Sequence, residues 1–205
     1  MQIADRVSLW GGKKSPLPPG ARWVECLEST GTQYIDTGVD YFADFEITVK
    51  LRESVSNVTL ISSDFNRLER NSASQPYWRF RSAIGGIYNT TISITELHTL
   101  AWKDNKVYSD GAFISNWSKD LPTGRMYVFG RPSTQYPAIV YALKLWDANG
   151  TLVRDFRPIA IGTTGYMLDL VSGEHLPYGN KGTGDFIVGP DAPATTGGGG
   201  ISAYA

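Results

Sequence analysis

Residues 17–38 read LPPGARWVECLESTGTQYIDTG, and this stretch decides the fold predicted for the chain. A proline and glycine entry turn precedes one run with the composition of a strand, a tight turn follows, and a second such run comes after it. We therefore expect strands at residues 23–28 and 33–37. Two short strands so close together are typical of all-β proteins.

Similar short runs continue along the chain, separated by turn residues. Aromatic residues make up 12% of the 205 residues, and the 22 glycines against 3 methionines favour strands and turns over helix bundles. In residues 44–51 apolar and polar side chains alternate, so one face of that strand should be buried. Further strands are expected at residues 44–51, 58–62, 77–83, 86–88, 96–103, 106–109, 112–116, 125–130, 139–146, 151–159, 165–169 and 185–188. The sequence predicts an all-β sandwich.

Three dipeptides are expected to form hairpin turns. They are Asp104-Asn105, Asp110-Gly111 and Asn149-Gly150, whose residue types tolerate positive φ. The charged residues 66–72 are instead compatible with one short helical turn at the surface.

Three later blocks accompany the opening stretch. They are YALKLWDANGTLVRDFRP (141–158), MLDLVSG (167–173) and GTGDF (182–186). In this order, the four blocks resemble a laminin-G-like, concanavalin-A-like jelly-roll domain of gut bacterial surface proteins and phage structural proteins, although Ala21, Trp23 and Cys26 depart from its usual pattern. The resemblance implies an antiparallel jelly-roll sandwich spanning residues 17–189.

The two ends differ from this domain. Residues 1–16 should form an N-terminal arm, and residues 190–205 a Gly-rich C-terminal tail with too little apolar area to fold alone. Both arms could be flexible tethers. Alternatively they bind neighbouring chains, with Ile201 and Tyr204 as anchors beyond the four-glycine run. We expect partners among other virion or surface proteins, and a homo-oligomer.

Charge and hydropathy exclude several function classes. A net charge of -1, from 19 basic and 20 acidic residues, gives no long-range field to attract nucleic acid or an anionic membrane. No apolar run has the length of a signal peptide or a membrane span. This pattern favours a virion protein, with a bacterial cell-surface protein as the alternative. Cys26, the single cysteine, is expected to be buried and inert.

The chain lacks a recognisable catalytic set. Asp44 and Glu46 share a strand face, but no third carboxylate follows at the spacing of jelly-roll glycoside hydrolases. His98 and His175 are far apart, and no serine lies in a Gly-x-Ser-x-Gly turn. We therefore expect a non-catalytic module, with a polysaccharide hydrolase as a further alternative.

The leading hypothesis is a lectin-like binding and assembly module for adhesion to host glycans or partner proteins. Exposed aromatic side chains near turns would stack on sugar rings. The candidates are Tyr77, Trp78, Tyr88, Trp117 and Tyr136. No cofactor is expected, but the resemblance implies that calcium could bind at the rim of the sandwich. The candidate calcium ligands are Asp36, Asp40, Asp64, Asn66 and Asp110.

Overall fold

The described residues form antiparallel strands and no helix. A computed structural model of the protein describes residues 17–41, 43–52, 58–70, 76–119, 124–172 and 177–192. The predicted all-β class is confirmed. The strands are β1 (Ala21–Trp23), β2 (Leu27–Thr30), β3 (Ile35–Asp36), β4 (Asp44–Lys50), β5 (Thr59–Ser62), β6 (Arg67–Arg70), β7 (Tyr77–Ser82), β8 (Gly86–Ser93), β9 (His98–Lys103), β10 (Lys106–Ser109), β11 (Ala112–Asn116), β12 (Tyr127–Val128), β13 (Gly130–Arg131), β14 (Thr134–Gln135), β15 (Pro137–Trp146), β16 (Leu152–Ile161), β17 (Thr164–Asp169) and β18 (Ile187–Val188).

The strands form two main sheets. The first has ten strands, with the order β1-β16-β15-β4-β9-β10-β11; β2 pairs with β15 and β18, and β17 pairs with β16. The second has six strands in the order β3-β12-β5-β6-β7-β8. Strands β13 and β14 form a separate two-stranded ribbon. Among the described residues, β11 and β8 are therefore edge strands of the two sheets.

The inner faces of the two main sheets share one core. The alternation in β4 places Phe45, Ile47 and Val49 inward, where all three are fully buried. Phe80 of β7 stacks on Phe45 with ring centroids 6.4 Å apart, and its ring meets Trp102 of β9 edge-on at 5.6 Å. Burying each such side chain contributes about 1.5–3 kcal/mol, so this contact zone stabilises the packing of one sheet on the other.

Two predicted hairpin turns have the backbone that their sequences favour. Asp104 and Asn105, between β9 and β10, have φ values of 50° and 57°. Asp110 and Gly111, between β10 and β11, have φ values of 51° and 80°. Two successive positive φ angles define the type I′ turn, whose twist matches that of the flanking strands. The three strands consequently form a tight meander at one edge of the ten-stranded sheet.

The third predicted turn also joins a hairpin, between β15 and β16, but its geometry differs. Only Gly150 has a positive φ, of 76°, and its N–H donates to the carbonyl of Asp147 at 3.0 Å. The turn thus begins at Asp147, and the Asp147 carboxylate accepts the N–H of Asn149 at 2.9 Å. The glycine supplies the left-handed residue that closes such a loop.

The predicted helical turn at residues 66–72 is wrong for the residues that the structure describes there. Residues 67–70 are strand β6, and Leu68 is fully buried in the core. Arg67 and Glu69, on either side of Leu68, lie on the opposite face of the strand. The charges of Arg67 and Glu69 therefore belong to the outer face of a sheet and not to a surface helix.

The opening stretch crosses between the sheets. Strand β2 belongs to the ten-stranded sheet and β3 to the six-stranded sheet, so the tight turn between them is a sheet-to-sheet connection. The predicted strand at residues 23–28 is divided into β1 and β2, which pair with β16 and with β15.

The arms lie mostly outside the described residues. This applies to residues 1–16 and to residues 193–205, which include Ile201 and Tyr204. The first residues of the predicted tail are described: Glu25 N–H donates to the carbonyl of Pro190 at 2.9 Å, and Ala192 N–H donates to Trp23 at 3.1 Å. The paired part of the chain continues to residue 192, beyond the predicted end of the domain at residue 189.

A buried carboxylate connects two of the sequence blocks. Asp169 is fully buried at the end of β17, where it accepts the backbone N–H groups of Asp155, Val171 and Ser172 at 3.0–3.2 Å. The Arg154 guanidinium lies 3.6 Å away. The LVRDF and MLDLVSG blocks are thus joined by one ion pair and by the hydrogen bond from Asp155, and the other two hydrogen bonds fix the turn within MLDLVSG.

Replacing Asp169 by alanine is expected to lower the free energy of unfolding by about 3–5 kcal/mol, because Arg154 loses its buried counter-charge and three backbone donors lose their acceptor. Urea denaturation measures this change. As the control, D191A removes an exposed partner of Arg22 and should cost within about 1 kcal/mol. Equal losses in the two variants would contradict the assigned role of Asp169.

Candidate functional site

A groove lies on the outer face of the ten-stranded sheet, across β4, β9 and β10. The pairing register places Ala101 directly between Glu46 of β4 and Tyr108 of β10. Because alanine has only a methyl group, a depression forms between the two larger side chains. The groove has a volume of about 320 Å³. Its lining residues are Glu46, Thr99, Ala101, Lys103, Asp104, Tyr108 and Gly111.

The ring of Tyr108 forms one wall of the groove, and the ring of Phe113 lies beside it. Tyr108 lies on β10, and Phe113 of β11 is its cross-strand partner. Their rings make an edge-to-face contact with centroids 6.0 Å apart. Phe113 is 55% exposed, although phenylalanine side chains are more often buried in the core of a folded protein. This wall presents an apolar surface to solvent.

Polar side chains line the rest of the groove, and neighbouring contacts hold several of them. The Lys103 ammonium lies over the Trp146 ring at 3.7 Å from its centroid, a cation–π contact. Glu46 lies 3.5 Å from the Lys144 ammonium. The Thr99 hydroxyl is 3.0 Å from the hydroxyl of Thr48. Because sheet backbone carries these groups, their positions are preorganised.

The two carboxylates considered for hydrolysis have different surroundings. Asp44 binds the Lys119 ammonium and accepts the N–H of Asp104 at 3.0 Å, and its side chain is 12% exposed. Glu46 lines the groove and is half-buried. Both carboxylates thus have a lysine partner, but Asp44 is nearly buried against Lys119, whereas Glu46, beside Lys144, lines the groove.

The prediction that Trp78 is an exposed contact residue is wrong. Trp78 lies on β7 with its side chain in the core and no exposed surface. Alternation along β7 explains the difference, because Trp78 and Phe80 face inward while Tyr77 faces outward. Tyr77 is 43% exposed on the outer face of the six-stranded sheet.

Two predicted aromatics meet each other. Tyr88 of β8 and Trp117, which follows β11, have ring centroids 5.4 Å apart, and both are half-buried against the core. Trp102 Nε1 donates to the carbonyl of Trp117 at 2.7 Å. This pair joins the edges of the two sheets. Tyr136 is also half-buried against the core, elsewhere in the fold.

None of the five predicted aromatics lines the groove, as far as the chain is described. Sequence reasoning missed Tyr108, Lys103 and Ala101 as site residues. A signal for Tyr108 was present, since two tight turns bracket the four residues of β10 and fix which of them face outward. The cross-strand partners of Ala101 depend on tertiary pairing, which no local pattern encodes.

Three of the five calcium candidates lie around the segment at Gly124 and Arg125. The Arg125 guanidinium donates to Asp36 at 2.6 Å and to Asp40 at 2.5 Å. The Asp64 carboxylate lies against the backbone of Gly124. The Arg125 guanidinium thus supplies the positive charge between the carboxylates of Asp36 and Asp40.

The other two calcium candidates have separate surroundings. Asn66 is buried in the β5–β6 turn. Asp110 binds the His98 ring at 2.7 Å and accepts the N–H of Thr99 at 2.8 Å. The described residues contain no group of three or more metal-ligating side chains.

Cys26 is buried, as predicted, and lies in a small apolar cluster on the outer face with Ile139 and Tyr141. Burial, reinforced by the charges of Glu25 and Glu28, raises the pKa of the Cys26 thiol. Burial also raises the pKa of Tyr141 to about 12. Thiolate is the reactive form of cysteine, so this environment disfavours nucleophilic chemistry. The inertness of Cys26 stays a prediction.

Comparison with known proteins gives no match to a family model, to a curated protein or to a solved structure. The laminin-G-like resemblance therefore remains an inference from the sequence blocks. Within the described ranges, no helix is long and apolar enough to span a membrane.

Truncation should distinguish the two neighbouring aromatics of β7. W78A is expected to lower the free energy of unfolding by about 3–5 kcal/mol, because it leaves a cavity in the core. Y77A, which removes an exposed ring, should change it by less than about 1 kcal/mol. Urea denaturation of both variants tests the assignment, and similar values would show that Trp78 is not a core residue.

The raised pKa of Tyr141 predicts a loss of stability at alkaline pH. The unfolded tyrosine ionises near its ordinary pKa of 10.0, whereas the folded protein keeps the phenol neutral until about pH 12. The stabilisation is thus complete below pH 10 and is lost between pH 10 and 12. Urea denaturation at several pH values measures it. Y141F should flatten this decline, and an unchanged decline in Y141F would rule out Tyr141 as its source.

Proposed function

We propose that this protein is a non-catalytic carbohydrate-binding module, built as a jelly-roll sandwich, and that the groove over Ala101 is its glycan site. The observation that carries the proposal is the combination of groove shape and lining. An open depression on rigid strands combines the ring of Tyr108 with several hydrogen-bonding side chains. Such a mixture of apolar surface and a few placed polar groups is typical of small-ligand sites.

The chemistry of a sugar matches this lining. One face of a pyranose ring consists of C–H groups, which pack well on the ring of Tyr108. Its hydroxyls both donate and accept, so they suit the carboxylates of Glu46 and Asp104 and the donors of Thr99 and Lys103. The negative charges of Glu46 and Asp104 are offset by Lys103 and by nearby Lys144. We infer a neutral, hydroxyl-rich ligand.

The resemblance of the four sequence blocks provides the biological setting. It supports a phage virion structural protein, such as a capsid decoration, fibre or tail component, with a bacterial cell-surface carbohydrate-binding domain as the alternative. In either setting the glycan would lie on the host surface. The arms, residues 1–16 and 190–205, would contact other virion or surface proteins or further copies of the chain.

A glycan array followed by calorimetric titration tests the proposal. The wild type should bind at least one neutral glycan. Y108A should weaken binding about tenfold, the equivalent of roughly 1.4 kcal/mol of lost contact with the ring. A101L should abolish detectable binding, because the longer side chain fills the depression.

The matched controls are F65A, which removes an exposed ring from a hairpin turn of the other sheet, and A148L, which enlarges an exposed alanine in the β15–β16 turn. Both should bind like the wild type. Failure of the wild type to bind any glycan at millimolar concentration would refute the proposal. Wild-type affinity in A101L would place the site elsewhere.

A further inference from the structure

The outer face of the six-stranded sheet carries a row of arginines. In β6 and β7 the inward residues are Leu68 and Phe80, both fully buried. The alternation of side chains therefore places Arg67, Arg79 and Arg81 on the outer face. This face is on the side of the sandwich opposite to the groove, since the groove lies on the outer face of the other sheet.

One pair of residues on this face is neutral. Glu69 and Arg79 are cross-strand partners, and Arg79 Nη2 lies 2.5 Å from Glu69 Oε1. Both side chains are nearly buried, with 6% and 10% exposed. Each charge has its counter-charge, so this pair offers no net charge to a ligand.

The neighbouring pair on the same face has two positive charges and no negative one. Arg67 of β6 lies directly opposite Arg81 of β7. Like charges in direct cross-strand register are unfavourable. In the described part of the chain, neither guanidinium has an ion pair with a carboxylate. The nearest acidic residues in sequence are Glu69, which pairs with Arg79, and Asp64, whose carboxylate lies against the backbone of Gly124.

Strand β8 extends this pair with an apolar and an amide side chain. Ile87 lies opposite Arg81, and Asn89 lies opposite Arg79. Ile87 is 48% exposed, and Asn89 is exposed as well. Two guanidinium groups, an apolar surface and an amide thus lie on one face of the sheet.

We propose that Arg67 and Arg81 form a second binding site, for the oxyanion group of an acidic polysaccharide. A carboxylate or a sulfate ester between the two guanidinium groups would relieve their repulsion and accept charge-assisted hydrogen bonds from both. Ile87 would contact the apolar face of the sugar ring, while Asn89 would bond its hydroxyls. The site differs from the groove in its ligand class, because its local charge is positive.

Titration with polymers of defined chemistry tests this site. The probes are polygalacturonate, which carries carboxylates, dextran sulfate, which carries sulfate esters, neutral dextran, and polyglutamate as an acidic polypeptide. At 0.15 M salt, where long-range charge effects are screened, the wild type should bind one or both acidic polysaccharides and should bind neither dextran nor polyglutamate with comparable affinity. Comparing polygalacturonate with dextran sulfate identifies the oxyanion.

R67Q/R81Q should weaken binding of the acidic polysaccharide at least about tenfold. The matched control, R52Q/R131Q, removes the same charge from two exposed sites outside the pair and should keep the wild-type affinity within about twofold. Thermal unfolding verifies that each variant is folded. If the double variant folds poorly, R81Q alone is compared with the wild type and the control, because Arg81 is an exposed side chain.

Several outcomes would overturn the proposal. Equal weakening in R67Q/R81Q and R52Q/R131Q would show a general charge effect, and no binding of either acidic polysaccharide would remove the site. Polyglutamate binding as tight as that of the polysaccharides would assign the face to an acidic protein partner. The groove variant Y108A should retain binding of the acidic polymer, so failure of the groove proposal and failure of this one are distinguishable.

Discussion

The buried amide of Gln33 holds the chain where it crosses from one sheet to the other. Its Oε1 accepts the N–H of Thr30 at 2.8 Å and the hydroxyl of Ser29 at 3.1 Å, while its Nε2 donates to the carbonyls of Thr183 and Asp185 at 3.2 and 3.1 Å. A buried amide with every group satisfied fixes one backbone path, since any other would leave polar atoms unpaired. The position of β3 relative to β2, and hence the alignment of the two inner faces, depends on it.

Arg154 also holds the chain in place, at Thr37, a few residues after Gln33. Its Nε donates to the carbonyl of Thr37 at 3.2 Å and lies 3.6 Å from the buried Asp169. Side chains from the late sequence blocks thus stabilise the opening block through polar contacts at the edge of the core. Because these contacts and the core hold the fold together, the outer faces of both sheets are free to carry a varied set of side chains. Both proposed sites lie on those outer faces.

Local patterns sufficed for features that one strand or one turn determines. The alternation in β4 predicted the inward residues Phe45, Ile47 and Val49, and Asp110-Gly111 predicted its turn. Features that depend on which strands are neighbours could not be predicted. The groove exists because pairing aligns Ala101 with Glu46 and Tyr108. Trp78 was misassigned because exposed and buried tryptophans look alike in sequence unless the inward face of the strand is known.

The pairing order also has a consequence for how the chain folds during synthesis. Among the described residues, every cross-strand partner of β1 and β2 lies at residue 137 or later, in β15, β16 and β18. The loops that these pairings close are long, and the entropy lost in closing them is recovered only when the late strands arrive. Strands β1 and β2 therefore leave the ribosome without these partners and keep their hydrogen-bonding edges exposed until β15 and β16 have been synthesised. Such edges are sites of aggregation, so the polar turn residues and short length of β1 and β2 protect the unfinished chain as well as shape the finished one.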